Sequence, residues 1–424
     1  MRQSEVLEIV YRAAAGNCAV CKDQVGSAVY EKALMFACQQ GHDSVARVMI
    51  KQGASIDQTD EEGCTALMHA CMNGHGDVAL QLIMANADLN KANVYGATAL
   101  MLSCNKGHAP CALQLIKAKA DLNKASKEGL TALMFACRVG QDSVTGVMIK
   151  GGAAVDQISQ NGWTALMIAC QNGYDPCALQ LIEAGAKVDQ TEEDGWTALI
   201  FACQEGHAQC ARVLLEKGVK LDQADDDGFT ALMFACQAGH YQCALQLIKA
   251  KADLNKASKE GLTTALMLAC QEGHDQCARV LLEKGAKLDQ ADYDGFTALM
   301  FACQKGHYQC ALQLIKAKAD LNKASKEGLT TALMLACQEG HDQCALQLIE
   351  AGAKVDQTEE DGFTALMFAC QKGRDQCAHV LLKKGAKLDQ TNGDGFTAME
   401  IACEANSLGC VQHLSVFGAQ RTCK

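Results

Sequence analysis

The sequence predicts an all-α protein built as an α-solenoid, a stack of short helical repeats. A segment such as Thr297-Ala-Leu-Met-Phe-Ala-Cys-Gln-Lys-Gly-His307 occurs twelve times, at steps of 33 residues or, twice, 34. A fixed period of this length is typical of arrays in which each unit completes the core of its neighbour. We therefore expect a continuous array over residues 26–420, preceded by a helical cap or degenerate repeat at 1–25 and followed by a tail at 421–424.

The elements of one repeat can be justified in order from residue 282 onwards. Leu282-Glu-Lys-Gly285 ends a helix, with Gly285 at the position that requires a left-handed backbone. The polar segment 287–295 ends in Asp-Gly, a turn signal. Thr297 caps the first helix, in which apolar residues recur at helical spacing up to Gly306-His307. A second apolar helix follows, so each repeat contains two short antiparallel helices and a projecting turn.

These residues resemble the ankyrin repeat across nearly the whole chain. The family pattern contains Asp-x-x-Gly-x-Thr-Pro-Leu-His, then Gly-His, then Leu-Leu-x-x-Gly-Ala, and Asp292-Tyr-Asp-Gly295, Thr297 and Gly306-His307 stand in the matching places. Two departures are systematic, because Pro is replaced by Ala and the first His usually by Met. The resemblance implies β-turn or hairpin tips between the helix pairs. The missing Thr-to-His hydrogen bond implies a greater dependence on apolar packing.

Composition excludes several classes of partner and site. The net charge of −11 argues against nucleic acid, and no apolar run is long enough for membrane insertion. No secretory signal is visible, so a cytoplasmic location is expected. Most of the 25 cysteines fall at two repeat positions. Equivalent residues of adjacent repeats lie roughly 8–10 Å apart, too far for a disulfide, so we interpret these cysteines as small buried hydrophobes in a reducing compartment.

An apolar ladder at the residue between Gly and Thr is the first candidate binding surface. The resemblance places this position on an exposed turn that commonly meets partners, and aromatic residues are frequent interaction hot spots. Alternatively, neighbouring rungs shield one another and stiffen the turns. The ladder comprises Leu130, Trp163, Trp196, Phe229, Leu262, Phe296, Leu329, Phe363 and Phe396.

The second candidate is the residue pair before each Gly-His, which the resemblance places on the concave face. The pairs are monotonous, which indicates either recent duplication or a repetitive ligand, and a solvated polar face is the alternative. The predicted contacts are Gln204, Glu205, Gln237, Gln271, Glu272, Gln304 and Lys305.

A longer period suggests a route to self-assembly. Residues 230–296 and 297–363 match at 58 of 67 positions, and basic and acidic turns alternate along this pair of repeats. Offset lateral packing of two molecules would set basic turns against acidic ones. Phe417 leaves the last repeat with an apolar end. The residues predicted for self-assembly are therefore Lys256, Lys259, Lys323, Lys326 and Phe417.

The regularly spaced histidines provide at most one ligand per repeat, so we predict structural hydrogen bonds and no metal site. No phosphate loop, nucleophile motif or acid–base cluster interrupts the repeats, so neither catalysis nor a cofactor is expected. The sequence predicts a non-catalytic scaffold for protein–protein interaction, and the alternative is a structural protein that forms oligomers or filaments. The identity of the protein partner is not encoded in these patterns.

Overall fold

The computed structural model describes residues 27–419. The cap predicted at 1–25 and the tail predicted at 421–424 lie outside these residues. Within the described range there are 24 helices and no strands, so the predicted all-α architecture of paired helices is confirmed. The expected hairpin tips are reduced to isolated β-bridges such as Ala291–Thr297.

The helices alternate between the first and second member of each repeat. The first helices are α1 (Ser27–Gln40), α3 (Ala66–Met72), α5 (Ala99–Asn105), α7 (Ala132–Arg138), α9 (Ala165–Gln171), α11 (Ala198–Gln204), α13 (Ala231–Gln237), α15 (Ala265–Glu272), α17 (Ala298–Lys305), α19 (Ala332–Glu339), α21 (Ala365–Gln371) and α23 (Ala398–Glu404). The second helices are α2 (Asp43–Lys51), α4 (Gly76–Met84), α6 (Ala109–Lys117), α8 (Asp142–Lys150), α10 (Asp175–Glu183), α12 (Ala208–Glu216), α14 (Tyr241–Lys249), α16 (Asp275–Glu283), α18 (Tyr308–Lys316), α20 (Asp342–Glu350), α22 (Asp375–Lys383) and α24 (Leu408–Val416).

The chain divides into two compact units. Unit 1 runs to Ala202 and includes Gln209–Val219, and unit 2 contains Cys203–Ala208 and the chain from Lys220 onwards. Within each unit, first helices pack on the first helices of neighbouring repeats, second helices pack on second helices, and the two helices of a repeat pack on each other. Each repeat thus supplies part of the core of the next one, as the period predicts.

In four first helices, α13, α17, α19 and α21, a threonine and a methionine stabilise the start. In α17, the hydroxyl oxygen of Thr297 accepts a hydrogen bond from the backbone N–H of Met300 at 3.4 Å. The sulfur of Met300 in turn accepts the N–H of Thr297, also at 3.4 Å. In α23 the carboxylate of Glu400 takes this role for Thr397, at 2.8 Å. Methionine therefore packs in the core and also supplies a weak acceptor to the helix start, which the sequence analysis did not foresee.

The cysteines lie in the core, with one exception among the described residues. Cys303 of α17 and Cys310 of α18 are fully buried, whereas Cys403 of α23 is exposed. The described cysteines are free thiols, as expected. The strongest thiol neighbour, however, is not the equivalent residue compared in the sequence: the side chain of Cys310, the second-helix cysteine of the following repeat, raises the pKa of Cys270.

The polar segments hold neighbouring repeats together through an Asp or Asn side chain. In unit 2 the carboxylate of Asp222 accepts the backbone N–H of Asp253 at 2.9 Å. One repeat later the amide oxygen of Asn255 accepts the N–H of Lys287 at 2.7 Å. The same pattern recurs at Asp289. Because both side chains offer an oxygen acceptor at the same place, the Asp/Asn alternation of the duplicated pair leaves this contact intact.

In the two 34-residue repeats the predicted ladder residues, Leu262 and Leu329, do not occupy the ladder position. In a regular repeat the N–H of Phe296 donates to the carboxylate of Asp292, and in the longer repeat the N–H of Thr263 donates to the hydroxyl of Ser258. Thr263 therefore occupies the rung position that the sequence analysis assigned to Leu262. Leu262 takes the left-handed conformation, at φ +53°, that glycine has in regular repeats, and Leu329 does the same at φ +50°. The inserted residue shifts the register, which the spacing of Thr alone does not reveal.

Candidate functional site

The aromatic ladder of unit 1 is built around one buried ring. Phe201 of α11 is 5 % exposed and lies between both tryptophans of the chain. Its ring centroid is 4.5 Å from that of Trp163 and 5.1 Å from that of Trp196. Both tryptophans are half-buried. The ladder in this unit is therefore a packed aromatic cluster with one side open to solvent.

In unit 2 three of the four phenylalanine rungs pack on an aromatic residue five positions later, in their own first helix. The centroid distances are 5.7 Å for Phe229 and Phe234, 5.6 Å for Phe296 and Phe301, and 5.3 Å for Phe363 and Phe368. These rungs are half-buried, and Phe396 is exposed. The turn position is thus less exposed than expected, and the shielding comes from the first helix of the same repeat.

The second set of candidate residues lies at the carboxyl ends of the first helices. Glu205, Gln237, Glu272 and Lys305 are exposed, and Gln204, Gln271 and Gln304 are half-buried. The backbone carbonyl groups of Gln237, Gln271 and Gln304 accept hydrogen bonds from the Nε2 atoms of His274, His307 and His341 at 3.0–3.1 Å. This confirms the structural role predicted for the Gly-His histidines. The glutamine and charged side chains stay free to meet solvent or a partner.

A groove in unit 1 joins the two candidate surfaces. It encloses about 520 Å³ and lies between the turns at 128–130 and 159–163 and the first helices α7 and α9. Its lining includes Leu130 and Trp163 of the ladder, Ile168, the amides of Gln171 and Asn172, and the charged residues Glu128 and Arg138. We call it the Trp163 groove.

The sequence analysis missed Arg138, although a signal was present. Glutamine stands at its repeat position in Gln39, Gln171, Gln204, Gln237, Gln271, Gln304, Gln338 and Gln371, and the other three repeats carry Met72, Asn105 and Glu404. Arg138 is therefore the single cation among the twelve residues at this repeat position, which we call its column. The residue pairs vary in this part of the chain, so the monotony that indicated the second candidate surface does not extend to Arg138.

The lysines predicted for self-assembly make contacts inside unit 2. The ammonium groups of Lys259 and Lys326 donate to the backbone carbonyls of Asp226 and Tyr293, each at 2.7 Å. Lys256 and Lys323 donate in the same way to Asp222 and Asp289. Each basic turn thus lies against the acidic turn that precedes it in the same chain. Phe417 is 38 % exposed, in ring contact with His379.

Within residues 27–419 no group of three or more His, Cys, Asp or Glu side chains is arranged to hold a metal ion. The helices described in this range are also too short or too polar to cross a membrane.

The chain was compared with known protein families and with curated proteins. A sequence model described as "Ankyrin repeats (3 copies)" matches residues 7–93, 79–159, 100–192, 176–258, 246–325 and 333–421. The chain belongs to the ankyrin repeat family. No curated protein matches it. Ankyrin repeats generally mediate protein–protein interaction and are generally non-catalytic.

Proposed function

We propose that this ankyrin repeat protein is a non-catalytic scaffold that binds a protein partner through the aromatic ladder and the adjoining ends of the first helices. The observation that carries the proposal is the cluster of Trp163, Phe201 and Trp196, which is fixed by ring packing and half-open to solvent. Side chains already held in one conformation lose little entropy on binding, which favours them as anchors.

The experiment compares the full-length protein with the Trp163→Ala/Trp196→Ala double variant. A displayed library of random twelve-residue peptides is selected on the full-length protein, and the selected peptides are resynthesised for titration by calorimetry. We expect the double variant to lose at least about 10-fold in affinity, since each aromatic anchor typically contributes 1 kcal/mol or more. Tyr95→Ala is the matched control, because Tyr95 is an exposed aromatic residue of a unit 1 turn outside the ladder.

Two further readouts make the result decisive. Circular dichroism of the double variant must match that of the parent, because Phe201 loses its cover in this variant. The single variants Trp163→Phe and Trp196→Phe keep a ring in place and should bind nearly as well as the parent. Equal affinity of the double variant and the parent for every selected peptide would remove the ladder from the binding surface.

A second candidate function is self-association through the last described repeat. Leu408, Val416 and Phe417 are 71 %, 77 % and 38 % exposed there, and exposed apolar side chains are a common feature of contact surfaces. Light scattering after size exclusion at several concentrations tests it. A concentration-dependent mass that disappears in Phe417→Lys supports end contacts, and a single monomer mass at every concentration excludes them.

Lateral assembly through the turns is a weaker candidate. Lys256, Lys259, Lys323 and Lys326 already contact carbonyls of their own chain, so a neighbouring molecule would have to compete for them. Their replacement by Glu should therefore destabilise unit 2 even in a monomer. A cytoplasmic site of action also remains part of the proposal, supported by the free thiols of the described core.

A further inference from the structure

The Trp163 groove differs from the rest of the first-helix surface in charge. Arg138 is the one cation among the twelve residues of its column, and Glu128 on the opposite turn is the other charged residue that lines the groove. The two units also differ in how much the residue pairs at the ends of their first helices vary from repeat to repeat. The pairs Met72-Asn73, Asn105-Lys106 and Arg138-Val139 vary from repeat to repeat, whereas those from Gln204 to Lys372 repeat one theme. A surface specialised for one partner is expected to vary in this way.

The guanidinium group of Arg138 is held in position by two contacts. One of its terminal nitrogens, Nη2, donates to the amide oxygen of Asn105 in the preceding first helix. Its central carbon lies 4.9 Å from the centroid of the Phe135 ring, in a cation–π contact. Arg138 is nevertheless exposed. A planar guanidinium held on an aromatic face, with further N–H groups open to solvent, is well suited to donate hydrogen bonds to a carboxylate. Little side-chain freedom remains to be lost when the carboxylate binds.

Apolar and amide groups adjoin this cation within the same groove. Leu130, Trp163 and Ile168 supply the apolar part of the lining, and Gln171 and Asn172 supply side-chain amides. A volume of about 520 Å³ is enough for a few residues of a peptide and lies in the range of ordinary binding pockets. Since Glu128 would repel a second acid, the charge pattern favours a single carboxylate at the Arg138 side.

We propose that the Trp163 groove binds a peptide segment of a partner protein that carries one Asp or Glu side chain, bound by Arg138, next to a large apolar side chain packed on Trp163. This deepens the proposed function and rests on it, because it assigns the partner's chemistry to one part of the interaction surface. A basic residue on the far side of the apolar anchor would meet Glu128. A purely basic segment would not fit this site, although the whole chain carries a net charge of −11.

The test uses the full-length protein and the peptide selection described above. The peptide that binds most tightly through the ladder is resynthesised in two forms, with its Asp or Glu intact or replaced by Asn or Gln. Binding is followed by intrinsic fluorescence, since Trp163 and Trp196 are the chain's only tryptophans and both contact Phe201. We expect the amide form to bind about 10-fold or more weakly, as for loss of a charge-assisted hydrogen bond.

The protein variant Arg138→Gln completes a double-mutant cycle. It should weaken binding of the acidic peptide by a similar factor and leave binding of the amide peptide unchanged. Glutamine occupies this position in eight other repeats, so the variant is expected to fold. Arg212→Gln is the matched control, because Arg212 is also an exposed unit 1 arginine hydrogen bonded to neighbouring side chains.

The outcomes separate the two proposals. If Trp163→Ala weakens binding but Arg138→Gln does not, or if the selected peptides carry no acid, the carboxylate site is wrong and the ladder proposal stands. If the selected peptides bind Trp163→Ala and Trp196→Ala as tightly as they bind the parent protein, the ladder proposal itself is wrong. Additive effects of the two changes in the cycle would also overturn the direct contact between Arg138 and the peptide acid.

Discussion

Three lysines occupy a backbone conformation that favours glycine. Lys119, Lys251 and Lys318 follow second helices at φ +69°, +72° and +69°. Gly285, at the equivalent place in another repeat, has φ +88°. The turn geometry is therefore shared, as the repeat alignment predicts. A side chain in this region costs roughly 1 kcal/mol because the β-carbon approaches the carbonyl oxygen.

The variant Lys251→Gly should stabilise unit 2. The gain from removing the strain is about 1 kcal/mol, reduced by the backbone entropy that glycine adds to the unfolded chain, so a net gain of a few tenths is expected. Urea denaturation followed by circular dichroism measures it. Lys249→Gly, at the end of helix α14, is the control and should destabilise. A loss of stability for Lys251→Gly comparable to that of Lys249→Gly would contradict the strain argument.

The residue scale also marks where sequence reasoning stops. The left-handed position of Lys251 follows from alignment with glycines, because one backbone conformation is repeated. The left-handed conformation of Leu262 does not follow from the alignment. The inserted residue moves Leu262 into the place of glycine and Thr263 into the place of an aromatic ladder residue. Two alignments of equal length fit the sequence there, and only the hydrogen bonds distinguish them. The held guanidinium of Arg138 likewise depends on contacts from two different repeats.

At the scale of elements, glycine and histidine of successive repeats fit against each other. A β-carbon built on Gly239 of one repeat would lie 2.5 Å from Nδ1 of His274 in the next, and Gly239 itself has φ +76°. The same histidine donates through Nε2 to the carbonyl of Gln237. The glycine is therefore required by its conformation and also by the ring that covers it. The sequence predicts the histidine's hydrogen bond, but not this steric fit.

A double-mutant cycle tests the fit. Gly239→Ala should destabilise unit 2 by more than the roughly 1 kcal/mol of backbone strain, because the methyl group collides with the imidazole ring. His274→Ala should also destabilise, through loss of the bond to Gln237. The double variant should be less destabilised than the sum of the two, since the collision is gone. Denaturant midpoints give all three values, and strict additivity would contradict the predicted contact.

At the scale of the whole chain, the described cysteine thiols are buried, with one exception. Burial raises the pKa of Cys104 to about 12, and the same cause raises that of Cys38 to about 12. The thiolate is the reactive form, so these residues are protected by ionisation as well as by access. Cys403 is exposed.

Alkylation of the folded protein should follow this division. With iodoacetamide at pH 8, peptide mapping should find Cys403 modified early, while Cys38 and Cys104 stay unmodified until the surrounding repeats open. In denaturant the three should react at similar rates, which provides the control. Early modification of Cys104 in the folded protein would mean that the core of unit 1 opens locally far more often than its packing indicates.

The repeat architecture also determines how a core defect spreads. Leu314 of α18 and Leu414 of α24 are both fully buried second-helix leucines of unit 2. Replacing either by Ala removes about 2–5 kcal/mol of packing. An inner repeat such as that of Leu314 contacts a repeat on each side, whereas among the described residues the helices of the Leu414 repeat, α23 and α24, pack on the preceding repeat. If stability is a sum of repeat and nearest-neighbour terms, Leu414→Ala should speed hydrogen exchange mainly in α23 and α24. Leu314→Ala should speed exchange in the repeats on both of its sides.

Mass spectrometry of exchanged peptides distinguishes the two patterns. Equal acceleration throughout unit 2 in both variants would mean that it unfolds as one cooperative body, which nearest-neighbour coupling alone does not explain.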